Sequence, residues 1–189
     1  MTRLATPPKT KEWILETDRL AFRHYEISDL AKLIELRADP DVNRYLGGVR
    51  MQNPEALAKR IRFYMSCYEN HGFGMCPMIV KETGEVIGTA GLQPLDGTDD
   101  IEVGYSLAPE HWGLGIGTEA AIAWIDYGFF EKGLDRIAGV ATVENGASRH
   151  ILEKLGMRYE NTESHFDDER AFYAISRTEF LSRKASDRP

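Results

Sequence analysis

The run His111-Trp112-Gly113-Leu114-Gly115-Ile116-Gly117-Thr118-Glu119-Ala120 carries the densest chemistry of this 189-residue chain. Its three glycines follow an apolar run, Val103 to Leu107, and precede an amphipathic one, Ala120 to Phe130. The pattern predicts a strand, a glycine turn and a helix start. Glycine lets the backbone approach a ligand closely and take φ > 0. The helix N-terminus beyond it offers unpaired N–H groups and the positive end of a dipole. Together they suit a phosphate or pyrophosphate. Two smaller groups stand out nearby. Glu102 lies on the strand just upstream, and Asn145-x-x-Ser148 opens a later helix.

Rival phosphate motifs fit poorly. A Walker loop needs Gly-Lys-Ser/Thr, but Gly117 is followed by Thr118 and Glu119. A dinucleotide fingerprint needs Gly-x-Gly-x-x-Gly early in a parallel βαβ unit. Here the glycines are Gly113, Gly115 and Gly117, after an antiparallel meander. A nucleotide-binding oxidoreductase is therefore the weaker alternative. Coenzyme A, held by backbone amides without a metal, is the third candidate.

The elements that must position these residues alternate along the chain. Leu15 to Arg23 reads as a strand. Ser28 caps a helix through Leu30, Leu33, Ile34 and Arg37, which Asp39-Pro40-Asp41 stops. Asn53-Pro54 opens a second helix through Leu57, Ile61 and Tyr64. Phe73–Lys81, Val86–Leu95 and Ile101–Leu107 form a meander, turning at Glu82–Glu85 and Asp96–Asp99. After the glycine loop, Ile122, Ile125 and Phe129 make a helical stripe that Gly133 ends. Arg136 to Thr142 is a strand, and Asn145 caps a short helix ending before Gly156. Met157–His165 and Arg170–Ser176 are the last strands. The order β-α-α-β-β-β-α-β-α-β-β defines one mixed α/β domain, residues 12–182. A polar lead-in, 1–11, precedes it, and a frayed polar tail, 183–189, follows.

Composition narrows the partners. A net charge of −7 and no Lys/Arg cluster argue against nucleic acid. No apolar run reaches the ~20 residues of a membrane span, and the N-terminus lacks a signal-peptide core, which points to a cytoplasmic enzyme. Cys67 and Cys76 have no metal-site spacing and read as reduced, partly buried thiols; no metal is expected. Acidic stretches at Asp96–Glu102 and Asp167–Glu169 mildly favour a cationic amine.

The spacing from Trp112 through Gly115 to Gly117 resembles the pyrophosphate loop of the GNAT N-acetyltransferases, with Trp112 in place of their usual Arg or Gln. "APEHWGLGIGTEA" is similar to the "xPxxWGxGxxTEA" of the RimJ/RimL-like, ribosomal-protein-alanine acetyltransferase branch. Glu16-Thr17-Asp18-Arg19-Leu20, Asp39-Pro40-Asp41-Val42, Glu85-Val86-Ile87-Gly88, Ile101-Glu102-Val103-Gly104-Tyr105, Asn145-x-x-Ser148 and Leu152–Met157 resemble further motifs of that branch, in order. The resemblance covers roughly Leu15 to Phe180. It implies a GNAT-like fold and transfer of an acetyl group from acetyl-CoA to a primary amine.

It also implies roles. The amides of Trp112, Gly113, Leu114, Gly115, Ile116, Gly117 and Thr118 would hold the pyrophosphate, aided by the Thr118 hydroxyl. Tyr105, Ser106 and Leu107 would form a splayed, bulged strand whose backbone pairs with the pantetheine arm. Asn145 would cap its helix and touch the cofactor, and Arg149 would reach a nucleotide phosphate, since His150 stands where relatives often carry arginine. N-acetylation needs a base for an ammonium, support for an oxyanion and release of a thiolate. Strand alternation puts Glu102, Gly104 and Ser106 on one face, and makes Glu102 the candidate base. Relatives often carry a tyrosine where this chain has Leu152. That leaves Ser148 as the candidate donor to sulfur. The loss also motivates an alternative, a coenzyme A-binding sensor or scaffold without turnover.

The acceptor is less legible. Arg44–Arg50, Tyr64–His71 and Ser164–Arg170 would wall its pocket, with Trp13, Tyr45, Tyr68 and Phe166 as candidate aromatics. A protein N-terminus, polyamine, amino sugar, antibiotic or amino acid all remain open. A homodimer is compatible with the sequence but not specified by it.

Overall fold

The computed structural model describes residues 12–46, 53–165 and 168–186. The lead-in 1–11, residues 47–52 (of which 47–50 belong to the expected acceptor wall), residues 166–167 with the candidate Phe166, and the last three residues lie outside it. The strands are β1 (Leu15–Glu16), β2 (Leu20–Phe22), β3 (Met75–Val80), β4 (Val86–Pro94), β5 (Ile101–Leu107), β6 (Arg136–Thr142), β7 (Arg158–His165) and β8 (Asp168–Ser176). The helices are α1 (Leu30–Ala38), α2 (Pro40–Asn43), α3 (Pro54–His71), α4 (Ile116–Phe130), α5 (Gly146–Lys154) and α6 (Arg177–Ser186). The strands form one sheet in the order β1-β2-β3-β4-β5-β6-β8-β7.

Helices cover both faces, as the alternating apolar positions of the strands require. On one side α4 and α5 bury Trp124, Ile125, Phe129 and Leu152 against Phe22, Leu92, Val103 and Ile137. Trp124 meets Phe22 edge-to-face at 5.4 Å. On the other, α1 and α3 place Leu33, Leu57, Ile61 and Tyr64 over Tyr25 and Met75. Full burial of such a side chain contributes about 1.5–3 kcal/mol, so the sheet's centre is firmly held.

Every strand pairing is antiparallel except β5–β6, which is parallel and bridged only at Glu102↔Ala138 among the described residues. Beyond that bridge the two strands part. Here lies the expected splay. The expected bulge in β5 is absent: β4 and β5 pair without a shift from Pro94↔Ile101 to Gly88↔Leu107. The irregularities fall elsewhere, at Met78/Ile79 and at Tyr159/Asn161.

Three expectations about elements change. The strand foreseen over Leu15–Arg23 is a tight hairpin, β1 with β2, because Thr17 folds back onto Leu20 through a 2.8 Å backbone bond. Asp39-Pro40-Asp41 ends α1 but also starts α2, since the Asp39 carboxylate accepts from the amides of Asp41 and Val42. The tail does not fray at Arg183. Helix α6 continues to Ser186, anchored by Phe180 against Phe129 (5.0 Å) and by Lys184 on Asp126.

Candidate active site

The glycine loop begins where β5 ends. A 3-10 turn, Pro109–His111, leads through Trp112 to Gly113 and Gly115, at φ 72° and 75°. Only glycine takes that conformation cheaply. A Cβ on Gly113 would meet nothing within 4 Å, so the space beside it is open. Gly115 is the N-cap of α4 and no side chain caps that helix. The first-turn amides, Ile116, Gly117 and Thr118, are thus left for another acceptor. Gly117 serves packing instead. A Cβ there would touch Ile151 at 3.4 Å, so its smallness seats α4 against α5.

Trp112 and Leu114 stand exposed on either side of Gly113. The Trp112 indole N–H donates to the Leu107 carbonyl at 2.9 Å and ties the loop to the end of β5. A second tie comes from the β1–β2 hairpin. The Arg19 guanidinium donates to the Leu114 carbonyl (2.9 Å) and to the Glu119 carboxylate (2.6 Å), which also accepts from the Thr17 hydroxyl and the Arg19 amide. Partial burial pushes the Glu119 carboxyl up, but the Thr17 and Arg19 bonds outweigh it and hold it below its ordinary range. Sequence reading missed this partnership, although both halves lie in family-like motifs.

The strand ladder fixes which backbone groups are free. Ala108 donates to Ile87 at 2.8 Å. In an antiparallel pair, bonded positions alternate, so Ser106 bonds Thr89, while Tyr105 and Leu107 turn their N–H and C=O toward β6. There β6 has departed. Ser106, expected to pair with a ligand through its backbone, instead spends those groups on β4. Its side chain lines a small cavity with Arg37, Thr89 and Leu107.

Glu102 sits on the α3 face of the sheet, as alternation predicts. One carboxylate oxygen accepts from the Gln93 amide on β4. Burial pushes its carboxyl above the ordinary range. The Gln93 bond, Arg170 and Arg60 oppose that shift, and Asp96 adds to it. A carboxylate poised upward is suited to accept a proton near neutrality.

On the opposite face, the Tyr105 phenol spans from β5 to α5 and lies 3.2 Å from both the Ser148 hydroxyl and its carbonyl. Burial keeps it protonated, with its pKa pushed up to about 12. Asn145 caps α5 by accepting from the Ser148 amide at 3.1 Å, which leaves its amide nitrogen for a ligand. Leu152 is 1% exposed and belongs to the core. The structure thus brings Tyr105, Ser148 and Asn145 together at the parting of β5 and β6. Arg149 is held elsewhere: it donates to the Tyr173 hydroxyl (3.0 Å) and the Val143 carbonyl (3.2 Å).

The other candidates scatter. Cys67 and Cys76 are buried, and burial pushes the Cys76 thiol up to about 12, leaving it inert at neutral pH. The Tyr68 hydroxyl is hydrogen-bonded to the buried Cys76 thiol. His24 packs on Tyr68 and His71 on Phe73. Among the described residues no three His, Cys, Asp or Glu converge as for a metal, and no helix is long and apolar enough to cross a membrane.

An uncapped helix behind a glycine turn, beside a sheet that opens only past one bridge, defines an α/β fold with an anion-binding loop at a split sheet. Residues 19–158 match the Acetyltransferase (GNAT) domain, and the chain belongs to that family. It is 35% identical over 161 residues to the uncharacterized protein YkkB of Bacillus subtilis, covering 82% of this chain and 88% of YkkB. It is 32% identical to the uncharacterized N-acetyltransferase YoaA of the same organism, covering 78% and 84%. Among solved structures it resembles a GNAT-family acetyltransferase from Bacillus anthracis, with a TM-score of 0.74 and 27% identity over 87% of this chain and 98% of that one. It shares its fold with RimL, a ribosomal L7/L12 alpha-N-protein acetyltransferase solved with coenzyme A (TM-score 0.73, 17% identity, 87% and 98% covered).

Proposed function

We propose that this chain moves an acetyl group from acetyl-CoA directly to a primary amine, as an N-acetyltransferase of the RimJ/RimL-like kind. The parting of β5 from β6 carries this reading, because it leaves the Tyr105 N–H and C=O and the Leu107 N–H without a strand partner beside an uncapped helix N-terminus. Acetyl-CoA fits that arrangement: the amides of Gly113 to Thr118 suit its pyrophosphate, and the free strand edge suits an amide-bearing arm. When bound, it supplies an acetyl thioester.

The remaining chemistry falls to the chain. An amine arrives as an ammonium, with an ordinary pKa of about 8 to 10.4. Glu102 takes one proton, directly or through water, so that nitrogen can form the new N–C bond. As the C–S bond breaks, a second proton must reach sulfur. The Tyr105 phenol, kept protonated by burial and backed by the Ser148 hydroxyl, delivers it and is reprotonated by the second proton that the nitrogen sheds as the amide forms. This pair supplies what Leu152 cannot, and it weighs against the turnover-free sensor.

The test is purified protein with acetyl-CoA and a panel of amines, followed by thiol release and mass spectrometry. Thiol release with acetylated product is expected. Tight acetyl-CoA binding with no product on any amine would instead identify a sensor.

A further inference from the structure

Two arginines flank the candidate base without carboxylate partners of their own. The chain has 30 Asp and Glu against 23 Lys and Arg, so carboxylates are plentiful. Arg19, Arg23, Arg44, Arg136 and Arg158 each meet one at 2.6–3.1 Å. Arg60 on α3 and Arg170 on β8 meet none among the described residues, yet both are half-buried and both face Glu102. Arg60 lies over the Tyr64 ring at 5.9 Å. The Arg170 Nε is buried and has no hydrogen-bond partner. Directly across the ladder from it, the Thr142 hydroxyl is also buried and unpartnered. These groups share the sheet face of Glu102, because Glu102 pairs with Ala138 and Thr142 follows on the same side of β6.

A third arginine strengthens the field. Arg37 is 7% exposed, has an unpartnered Nη1 and acts on Tyr64 from α1. Two guanidinium groups, Arg60 and Arg170, act on Glu102 itself, while Arg37 acts further off on Tyr64; the acids on this side are Asp96 and Glu163, the cross-strand neighbour of Arg170. A buried cation without a counter-charge is costly, and a guanidinium fork suits a carboxylate. A polyamine would set its second cation against these arginines.

We propose that the acceptor is a small zwitterion, a primary amine that carries its own carboxylate, with the nitrogen at Glu102 and the carboxylate on Arg170 and Arg60. This reverses the mild expectation of a cationic acceptor. One carboxylate of the acidic stretch behind that expectation, Asp100, is spent on Arg136. The proposal rests on the acetyl-transfer reading and names its substrate class.

Matched acceptors test it: phenylalanine, phenylalaninamide and phenethylamine, then lysine and cadaverine, each with saturating acetyl-CoA. The amino acids are expected to show kcat/KM at least about tenfold above their carboxylate-free partners. Arg170→Gln should abolish that preference through KM, Arg60→Gln should reduce it, and Arg170→Lys should retain part of it. The KM for acetyl-CoA should stay unchanged in all three. Equal or better turnover of the amide, the amine or cadaverine overturns the proposal, as does a preference that survives Arg170→Gln. Calorimetric titration of N-acetylphenylalanine and N-acetylphenethylamine into the protein with coenzyme A separates the two readings. Carboxylate-dependent binding lost in Arg170→Gln, without turnover of any amine, upholds this site and sinks the enzyme. Binding blind to the carboxylate sinks this site.

Discussion

Glu102 shows how one carboxylate bears on both activity and stability. Its folded-state pKa is raised, chiefly by burial, above the ordinary value of about 4.3. The folded state therefore holds the proton more tightly than the unfolded chain. Stability falls as pH rises from about 4.3 through the folded value. Glu102→Gln removes that cost and is expected to raise Tm at pH 7, by scanning calorimetry, while the two proteins converge near pH 4. The same change should lower kcat by about 10²–10⁴ and erase an acid limb of kcat/KM lying above the usual glutamate range. A lower Tm at pH 7 would mean that the carboxylate is structural. The position of Glu102 was legible because strand alternation is a strict period of two. Tyr105 was legible only as backbone. Its phenol meets Ser148 across 43 residues of sequence, a contact no local pattern announces. That Arg37, Arg60 and Arg170 meet no carboxylate among the described residues was equally hidden, since pairing depends on which carboxylates the fold brings near.

At the scale of elements, the glycine loop is shaped from outside as well as from within. Its spacing and the helix behind it were plain in the sequence, because glycine at φ > 0 and an uncapped helix start are local properties. The β1–β2 hairpin was not, since Leu15–Arg23 alternates well enough to pass for one strand. Folding back puts Thr17 and Arg19 on Glu119 and Leu114. Those bonds orient the first turn of α4 without occupying its free amides. The Arg19 side chain is 48% exposed, so the pair itself adds only about 0.2–1 kcal/mol to stability. Arg19→Ala should thus leave Tm nearly unchanged while weakening acetyl-CoA binding several-fold by calorimetry. Lys32→Ala, which removes an exposed pair remote from the loop, should change neither. Unaltered affinity in Arg19→Ala would show that the loop keeps its shape without the hairpin.

The whole molecule is a sheet closed at one end of a single seam and open at the other. A crossover through α4 makes the pairing of β5 with β6 parallel, but its restriction to one bridge among the described residues is a tertiary outcome. Arg136 explains the closed end. From β6 its Nε donates to Asp100, just before β5, at 3.0 Å, and its two terminal nitrogens donate to Glu160 of β7 at 2.8 and 2.6 Å. Glu160 lies at the irregular step of β7, where an extra residue re-aims its side chain. One guanidinium therefore pins both halves of the sheet beside the Glu102↔Ala138 bridge, and the strands diverge only beyond it. Arg136→Ala should lower Tm by about 2–4 °C, the equivalent of about 1 kcal/mol in a chain of this size. It should also weaken acetyl-CoA binding by loosening the seam. The pH dependence identifies the cause. Arg136 holds the Glu160 carboxyl below its ordinary range, mainly through their hydrogen bonds. That contribution is present above about pH 4.3 and is lost as pH falls through the lower, folded value. The Tm gap between wild type and Arg136→Ala should accordingly narrow below pH 4, and narrow again in 1 M salt, where exposed pairs are screened. A gap that stays constant from pH 7 to pH 3 would assign the loss to the packing of the arginine stem instead, and the pin would then be steric rather than electrostatic.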